Sequence, residues 1–192
     1  MALILASRSP RRSELLRQCG VDFSVEISPV QELDNAPDIT ALPQLNAALK
    51  AAAAADRNPE KWVLGADTMI VFENSAIGKP ADLAEAAHFL RRFSGKSHQV
   101  ITGMALICRS KQVEELWSET SVVTFKNLSD EVIREYLDKV EVLDKAGAYA
   151  IQEHGEVIVE KFSGEIENIV GLPLKKLREL LNKYSIGDNG ND

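Results

Sequence analysis

The segment Ser-Arg-Ser-Pro-Arg-Arg, residues 7–12, combines hydroxyl and guanidinium groups near the start of the chain. Ser9 is a favourable N-cap and Pro10 a favourable first helical residue, so a helix is predicted to begin here. Arg11 and Arg12 then occupy the first turn, where the helix dipole favours acidic residues instead. Because local rules are often broken at functional sites, and guanidinium groups at a helix N-terminus suit phosphate, the segment predicts an anion site. An exposed basic turn is the alternative for these six residues taken alone.

Two acidic residues are candidates for acid–base or metal chemistry. Asp67 interrupts the apolar run 62–72, and an unpaired carboxylate is costly in such a strand, so it needs a partner or a metal. Glu32 follows a predicted strand. Two carboxylates that meet at the ends of strands suit an octahedral Mg²⁺ that shares phosphate oxygens. The alternatives are a turn aspartate at a bend made by Gly65 and a solvated loop glutamate.

Two lysines extend the basic set. Lys50 lies in the middle of an alanine-rich helix, and Lys79 precedes Pro80 at the end of a predicted hairpin. Each lysine alone is interpreted more simply as a surface residue whose aliphatic stem packs on the protein. Together with Arg11, Arg12 and the two carboxylates, they provide what a polyphosphate site requires: cations that neutralise the phosphates and a metal that activates water.

The remaining reactive side chains exclude several classes of enzyme. The three histidines, His88, His98 and His154, lack metal-binding spacing, and the sequence has neither a Walker motif nor a Gly-x-Ser-x-Gly motif. P-loop and serine hydrolase functions are therefore disfavoured, and His88 is expected on a helix surface. Cys19 and Cys108 are expected to be reduced core residues.

Composition sets the scale of the protein. With 192 residues, 45% of them hydrophobic, the chain can form one domain or a compact two-lobed unit. Its 22 basic and 29 acidic residues give a net charge of -7, which argues against nucleic acid or an anionic membrane as partner. The sequence shows neither a signal peptide nor a membrane-spanning run, so a cytoplasmic protein is expected.

The secondary-structure elements that must position these residues are predicted to be strands and helices that alternate along much of the chain. Hydrophobic periodicity and turn residues predict strands over residues 3–6, 22–28, 62–72, 76–79, 99–108, 113–125 and 157–162. They predict helices over residues 10–19, 42–56, 83–93, 130–140 and 173–184. Two hairpins require antiparallel pairs, so the fold class is α/β, with a mixed twisted sheet and helices on both sides. Residues 186–192 are expected to form a disordered tail.

Six motifs in this order resemble the Maf family of nucleotide pyrophosphatases. They are Leu-Ala-Ser-Arg-Ser-Pro-Arg-Arg (5–12), Leu-Gly-Ala-Asp-Thr (64–68), Gly-Lys-Pro (78–80), Gln-Val-Ile-Thr-Gly (99–103), Asp-Lys-Ala-Gly-Ala-Tyr-Ala-Ile-Gln (144–152) and Val-Gly-Leu-Pro (170–173). The resemblance implies one catalytic domain over residues 1–185, with an inosine triphosphatase-like fold of two lobes and a central cleft. It further implies a homodimer that uses a divalent cation, Mg²⁺, Mn²⁺ or Co²⁺, to hydrolyse a nucleoside triphosphate to the monophosphate and pyrophosphate.

Carried onto this sequence, the resemblance assigns roles to individual residues. It makes Asp67 the acceptor of the proton from water, and Glu32, with Asp67, a metal ligand. The residues that would line the phosphates are Ser7, Arg12, Lys50 and Lys79. The residue types alone do not separate a general base from a metal ligand, because a carboxylate beside Mg²⁺ can serve either purpose.

Three further positions bear on the base of the nucleotide. Arg11, Thr68 and Gln152 resemble the set in the branch of the family that hydrolyses dTTP and UTP. A glutamine amide can match the N3–H and a carbonyl of thymine or uracil. The branch that resembles 7-methyl-GTP pyrophosphatases has tryptophan, glutamine and glutamate at these places. The resemblance to this branch therefore implies hydrolysis of dTTP and UTP.

Two other functions stay open at this point. A purine or 7-methyl-GTP pyrophosphatase would share the core motifs. A non-catalytic nucleotide-binding regulator of cell division is also compatible with the family resemblance, although a pure binder gains little from an acid such as Asp67 facing phosphates.

Overall fold

The computed structural model describes residues 2–27 and 29–187. Contacts between Cα atoms divide the chain into two compact units. Unit 1 contains the described residues of Met1–Thr68, Thr102–Glu119 and Gly171–Asp192. Unit 2 contains Met69–Ile101 and Thr120–Val170.

A mixed sheet runs through the fold. Within the described residues it has seven strands, namely β1 (Leu3–Leu5), β2 (Phe23–Val25), β3 (Trp62–Phe72), β4 (Ser75–Ile77), β5 (Ser97–Cys108), β6 (Val113–Phe125) and β7 (Val159–Ser163). The order is β2-β1-β3-β5-β6-β7, and β4 pairs with β3. β1 is parallel to β2 and to β3, whereas β3–β4 and β6–β7 are antiparallel. The predicted mixed sheet is confirmed.

Helices flank this sheet. They are α1 (Pro10–Arg17), α2 (Leu42–Arg57), α3 (Leu83–Phe93), α4 (Asp130–Lys139), α5 (Gly155–Ile158), α6 (Ile166–Val170) and α7 (Leu174–Lys183), with 3₁₀ turns at Ile39–Ala41 and Ala146–Ala148. In the part of the chain that the structure describes, no helix has the length and apolar character that crossing a membrane requires. The side chains of Ser9, Asp82 and Ser129 accept hydrogen bonds at the N-termini of α1, α3 and α4, as their residue types predict.

In unit 1 the alanines of α2 pack closely against the first strands. Ala47, Ala51, Ala54 and Ala55 are buried together with residues of β1, β3 and β5. Small side chains on this face let the helix axis lie near the sheet. Gly65 in β3 lies under α2, and a Cβ there would collide with the carbonyl of Ala47 and lie 2.9 Å from the Cβ of Ala51. The chain therefore requires a glycine where α2 meets β3.

In unit 2 a buried aromatic cluster surrounds His98. Its imidazole ring centre lies 4.5 Å from that of Phe93, 5.2 Å from Phe125 and 5.4 Å from Tyr149. His98 is 3% exposed, and its Nε2 is 2.8 Å from the Tyr149 hydroxyl. Among the described residues Nδ1 has no hydrogen-bond partner. Burial lowers the pKa of His98 from 6.5 to about 4, because the charged imidazolium loses its hydration.

Some predicted boundaries need correction. Residues 157 and 158 belong to α5, so strand β7 begins at Val159 and not at residue 157. The second strand is shorter than the predicted 22–28, and position 28 lies outside the described residues. Of the predicted tail, Ile186 is buried and its N–H donates to the carbonyl of Leu181, while residues 188–192 lie outside the described part of the chain. His88 is exposed on α3, as expected.

The buried neutral imidazole predicts a specific dependence of stability on pH. In the unfolded chain His98 titrates near its ordinary value of 6.5, so the unfolded state binds more protons as the pH falls from 6.5 towards 4. The contribution of His98 to the free energy of unfolding is fully present above pH 6.5 and decreases through this window by about 3 kcal/mol. Urea unfolding between pH 4 and pH 8 should show this slope in the wild type but not in His98→Gln. His88→Gln, an exposed histidine on α3, is the control, and an unchanged slope in His98→Gln would contradict the interpretation.

Candidate active site

Asp67 is placed by the alternation of side chains along β3. Residues two apart on a strand share a face, so Asp67 lies on the same face as Gly65, which packs under α2. Lys50, on the next turn of α2 after Ala47, reaches this face, and its Nζ donates to Oδ1 of Asp67 at 2.7 Å. The close approach at Gly65 thus brings a lysine of the helix to an acid of the strand.

Lys50 also contacts the second acid. Its Nζ lies 2.9 Å from Oε1 of Glu32, in the loop after β2. The side chains of Lys50 and Asp67 are 13% and 16% exposed, whereas that of Glu32 is 55% exposed. Two carboxylates therefore share one ammonium, which leaves one surplus negative charge within the three side chains. The structure brings together Glu32, Lys50 and Asp67, which the sequence singled out separately.

The guanidinium of Arg12 donates several hydrogen bonds next to Asp67. Its Nε donates to the carbonyl of Gly171 at 2.9 Å. One terminal nitrogen donates to the carbonyl of Ala66 at 2.9 Å and to the Ser7 hydroxyl at 3.2 Å, and the other donates to Oγ1 of Thr68 at 2.9 Å. Arg12 therefore holds the residues on both sides of Asp67.

The backbone conformation next to Arg12 favours glycine at position 171. A Cβ on Gly171 would lie 3.1 Å from Oγ1 of Thr68 and 3.4 Å from Nε of Arg12, and the backbone there has a φ of +119°. Thr68 in turn lies 3.0 Å from Oγ1 of Thr102. Burial lowers the pKa of the Arg12 guanidinium; the charge of Asp67 acts in the opposite direction, Arg11 lowers it further, and Glu32 raises it. These charges therefore interact within unit 1.

The remaining site predictions fall in three places. Ser7 is buried before α1, where its hydroxyl accepts from Arg12 and from the N–H of Ser9. Arg11 lies in the first turn of α1, partly buried. Lys79 and Gln152 belong to unit 2, and both are exposed.

Within unit 2 the segments that carry Lys79 and Gln152 are each tied to their surroundings. The N–H of Gly147 donates to the carbonyl of Gly78, the residue before Lys79, at 2.9 Å. The Tyr136 hydroxyl accepts from the N–H of Ala150 at 3.0 Å and lies 3.3 Å from its carbonyl, two residues before Gln152. Both exposed side chains thus extend from anchored backbone.

Protein side chains can supply only some of the ligands that a divalent cation needs at this site. No group of three or more His, Cys, Asp and Glu side chains with metal-binding geometry occurs in residues 2–27 and 29–187. Oxygens of Glu32 and Asp67 nevertheless converge on one cation, the ammonium of Lys50. Mg²⁺ is commonly held by one or two carboxylates, with water and substrate phosphates as the other ligands. The two acids therefore fit a metal that is shared with a phosphorylated substrate.

Two residues of this region were not singled out in advance. Thr102 sits in the Gln-Val-Ile-Thr-Gly motif, but its type alone does not indicate a contact with Thr68. Asn46 lies four residues before Lys50, and its amide bonds to the backbone of Leu33. The available signal was a polar residue on the buried, alanine-rich face of α2.

Comparison with solved structures identifies the class of fold. The structure of the Staphylococcus aureus Ham1 protein matches 96% of this chain and 100% of its own, with a TM-score of 0.57 at 14% sequence identity. The chain is therefore an α/β protein that shares the Ham1 fold, which confirms the predicted fold class.

Sequence comparison identifies the family. A protein of Symbiobacterium thermophilum named dTTP/UTP pyrophosphatase is 46% identical over 184 residues, 95% of this chain and 93% of the relative. Relatives with the same name from Akkermansia muciniphila and Bacillus velezensis are each 42% identical, over 94% and 96% of this chain and 95% and 97% of their own lengths. The family model described as Maf-like protein matches residues 2–184. The chain belongs to the Maf family.

The hydrogen bonds of Arg12 predict a structural cost for a change that keeps its charge. Arg12→Lys replaces a planar fork by a single ammonium, which cannot reach Gly171, Ala66 and Thr68 together, so the free energy of unfolding should fall by about 3 kcal/mol. Urea unfolding measures this change. Arg8→Lys, at an exposed position of the same segment, should differ from the wild type by less than about 0.5 kcal/mol. Equal stability of the two variants would show that Arg12 does not organise the folded site.

Proposed function

We propose that the protein is a nucleoside triphosphate pyrophosphatase that hydrolyses dTTP and UTP to the monophosphate and pyrophosphate. The observation that carries this proposal is the position of Asp67, whose carboxylate pairs with Lys50 and whose two neighbours in the chain are held by Arg12. The names of the relatives at 42–46% identity support the choice of reaction and of nucleotides.

In the proposed reaction, water cleaves the anhydride bond between the α- and β-phosphates. The oxygen of water bonds to phosphorus, the bridging bond breaks, and pyrophosphate leaves with the bonding electron pair. Asp67 accepts the proton that water loses, and Lys50, with a side chain that is 13% exposed, orients this carboxylate through a charged hydrogen bond. A partly buried ammonium also stabilises negative charge on phosphate more strongly than one in bulk water.

Glu32 and Asp67 would hold the divalent cation, for which Mg²⁺, Mn²⁺ and Co²⁺ are the candidates. When bound, the ion supplies positive charge for the phosphate oxygens and lowers the pKa of a coordinated water. In the proposal Ser7, Arg12 and Lys79 serve the phosphates. Since Arg12 already bonds to four oxygens of the protein, its main contribution is to fix the backbone beside Asp67 and the hydroxyl of Ser7.

Selection of the base is assigned to Arg11, Thr68 and Gln152. The amide of Gln152 can donate to a carbonyl of thymine or uracil and accept from N3–H, and its exposed position leaves both groups available to a ligand. The proposal includes a homodimer that acts in the cytoplasm, where nucleoside triphosphates are found; the family resemblance supports this part. Sedimentation of the purified protein tests the dimer.

Replacing Asp67 tests the reaction. Asp67→Asn removes the proton acceptor while preserving shape, so kcat for pyrophosphate release from dTTP and UTP should fall by about 10² to 10⁴-fold. Pyrophosphate and orthophosphate should be quantified separately with Mg²⁺, Mn²⁺ and Co²⁺. Asp56→Asn is the matched control, because Asp56 is an exposed acid paired with Arg109. Equal turnover by Asp67→Asn and the wild type would refute the assignment, and nucleotide binding without pyrophosphate release under every metal would favour a non-catalytic regulator.

Replacing Gln152 tests the choice of base. Gln152→Glu removes the amide donor, so kcat/KM for dTTP and UTP should fall by about tenfold or more, because a base carbonyl then faces a carboxylate. The measurement compares dTTP, UTP, GTP and 7-methyl-GTP for the wild type and the variant. Gln18→Glu, at an exposed position after α1, controls for the added charge. A wild type that prefers 7-methyl-GTP would support the purine alternative instead.

A further inference from the structure

Asn46 makes a paired contact that the reaction outlined above does not use. The residue lies on α2 and is 3% exposed. Its Oδ1 accepts from the N–H of Leu33 at 2.8 Å, and its Nδ2 donates to the carbonyl of Leu33 at 3.0 Å. A side-chain amide thus pairs with both backbone groups of one residue, as a neighbouring strand would do.

The contact between Asn46 and Leu33 is next to Glu32 both along the chain and on the surface of α2. Leu33 follows Glu32 in the chain, so fixing both backbone groups of Leu33 restricts the point from which the Glu32 side chain starts. Lys50, which contacts Glu32 at 2.9 Å, is four residues after Asn46 on α2 and therefore on the same side of the helix. The same face of α2 therefore holds the loop backbone through Asn46 and the Glu32 carboxylate through Lys50.

Apart from this contact, hydrogen bonds between backbone groups do little to order the loop that carries Glu32, within its described residues. In the described part of this segment, backbone–backbone hydrogen bonds extend to the N–H of Glu26, which donates to Leu5, and resume at the N–H of Ala41, which donates to Asp38. Asn46 holds the loop about halfway between these points. The side chain of Glu32 is 55% exposed, so without a fixed backbone its carboxylate would sample many positions.

We propose that Asn46 is a positioning residue that holds Glu32 ready for the divalent cation. The inference rests on the proposed function, in which Glu32 and Asp67 hold that cation. Asparagine has a lower helix propensity than alanine, and burying its amide costs free energy unless each polar atom has a hydrogen-bond partner. The paired contact with Leu33 meets this requirement. Its effect on the site is preorganisation: less conformational freedom of Glu32 is lost when the cation binds.

Asn46→Leu tests the proposal, because leucine keeps the branching and the number of side-chain heavy atoms and removes both hydrogen bonds. Three quantities should be measured: exchange of the Leu33 amide hydrogen, the Kd for Mn²⁺ without nucleotide, and the Mn²⁺ dependence of pyrophosphate release. Exchange of the Leu33 amide should accelerate by about tenfold, as expected for loss of a hydrogen bond. The Kd and the activation constant for Mn²⁺ should each rise by about tenfold, with a smaller change in kcat at saturating Mn²⁺.

A double-mutant cycle separates positioning of Glu32 from a general loss of structure. In a Glu32→Gln background, Asn46→Leu should change the Kd for Mn²⁺ by less than about twofold, because the residue through which Asn46 acts has been altered. Asn182→Leu, an exposed asparagine on α7, controls for the introduced leucine. If Asn46→Leu unfolds, Asn46→Ser provides the second variant, since its shorter hydroxyl cannot bond to both backbone groups of Leu33.

The outcomes distinguish this inference from the proposed function. A folded Asn46→Leu variant with the wild-type Kd for Mn²⁺ overturns the role of Asn46, as does an equal rise in Kd in the Glu32→Gln background. A wild type that binds Mn²⁺ but releases no pyrophosphate from any nucleotide refutes the proposed reaction, while the exchange and binding data still decide the role of Asn46.

Discussion

A carboxylate in the middle of an apolar strand loses hydration, and the region around Asp67 is built to compensate for that loss. Lys50 supplies a charged hydrogen bond from α2, and Arg12 fixes the backbone through Ala66 and Thr68. The contact of Lys50 depends on the close approach of α2 to β3, which Gly65 permits because it lacks a side chain, and Gly171, which accepts from Arg12, has a backbone φ of +119° that favours glycine. These contacts therefore hold the carboxylate of Asp67 at a fixed position, which both proton transfer and metal binding require.

Where the sequence carries strong local signals, the fold could be predicted from it. Ser9, Asp82 and Ser129 cap helices as their types indicate, and the long strands follow from apolar runs broken by glycine and asparagine. Two short helices were not predicted: α5 and α6 have four and five residues, too few for a periodic pattern, and their formation depends on packing.

The candidate site was predictable in residue type but not in connectivity. An acid in an apolar strand and a lysine in an alanine helix each indicate a missing partner, and the structure shows that they are partners of each other. The two first-turn arginines indicated an anion, but the observed hydrogen-bond partners of Arg12 are carbonyl and hydroxyl oxygens, which sequence spacing does not reveal because Gly171 is 159 positions away. The contact of Asn46 could not be predicted for the same reason, since its partner Leu33 lies in an irregular loop.

The bond from Arg12 to Gly171 has a consequence for when the site can form during protein synthesis. The ribosome makes Arg12 first, and its acceptor Gly171 emerges only 159 residues later. Contacts between such distant positions are slow to close because a long loop must be ordered first. Helices such as α2 can fold locally while the chain grows, but the surroundings of Asp67 become complete only after Gly171 has been made.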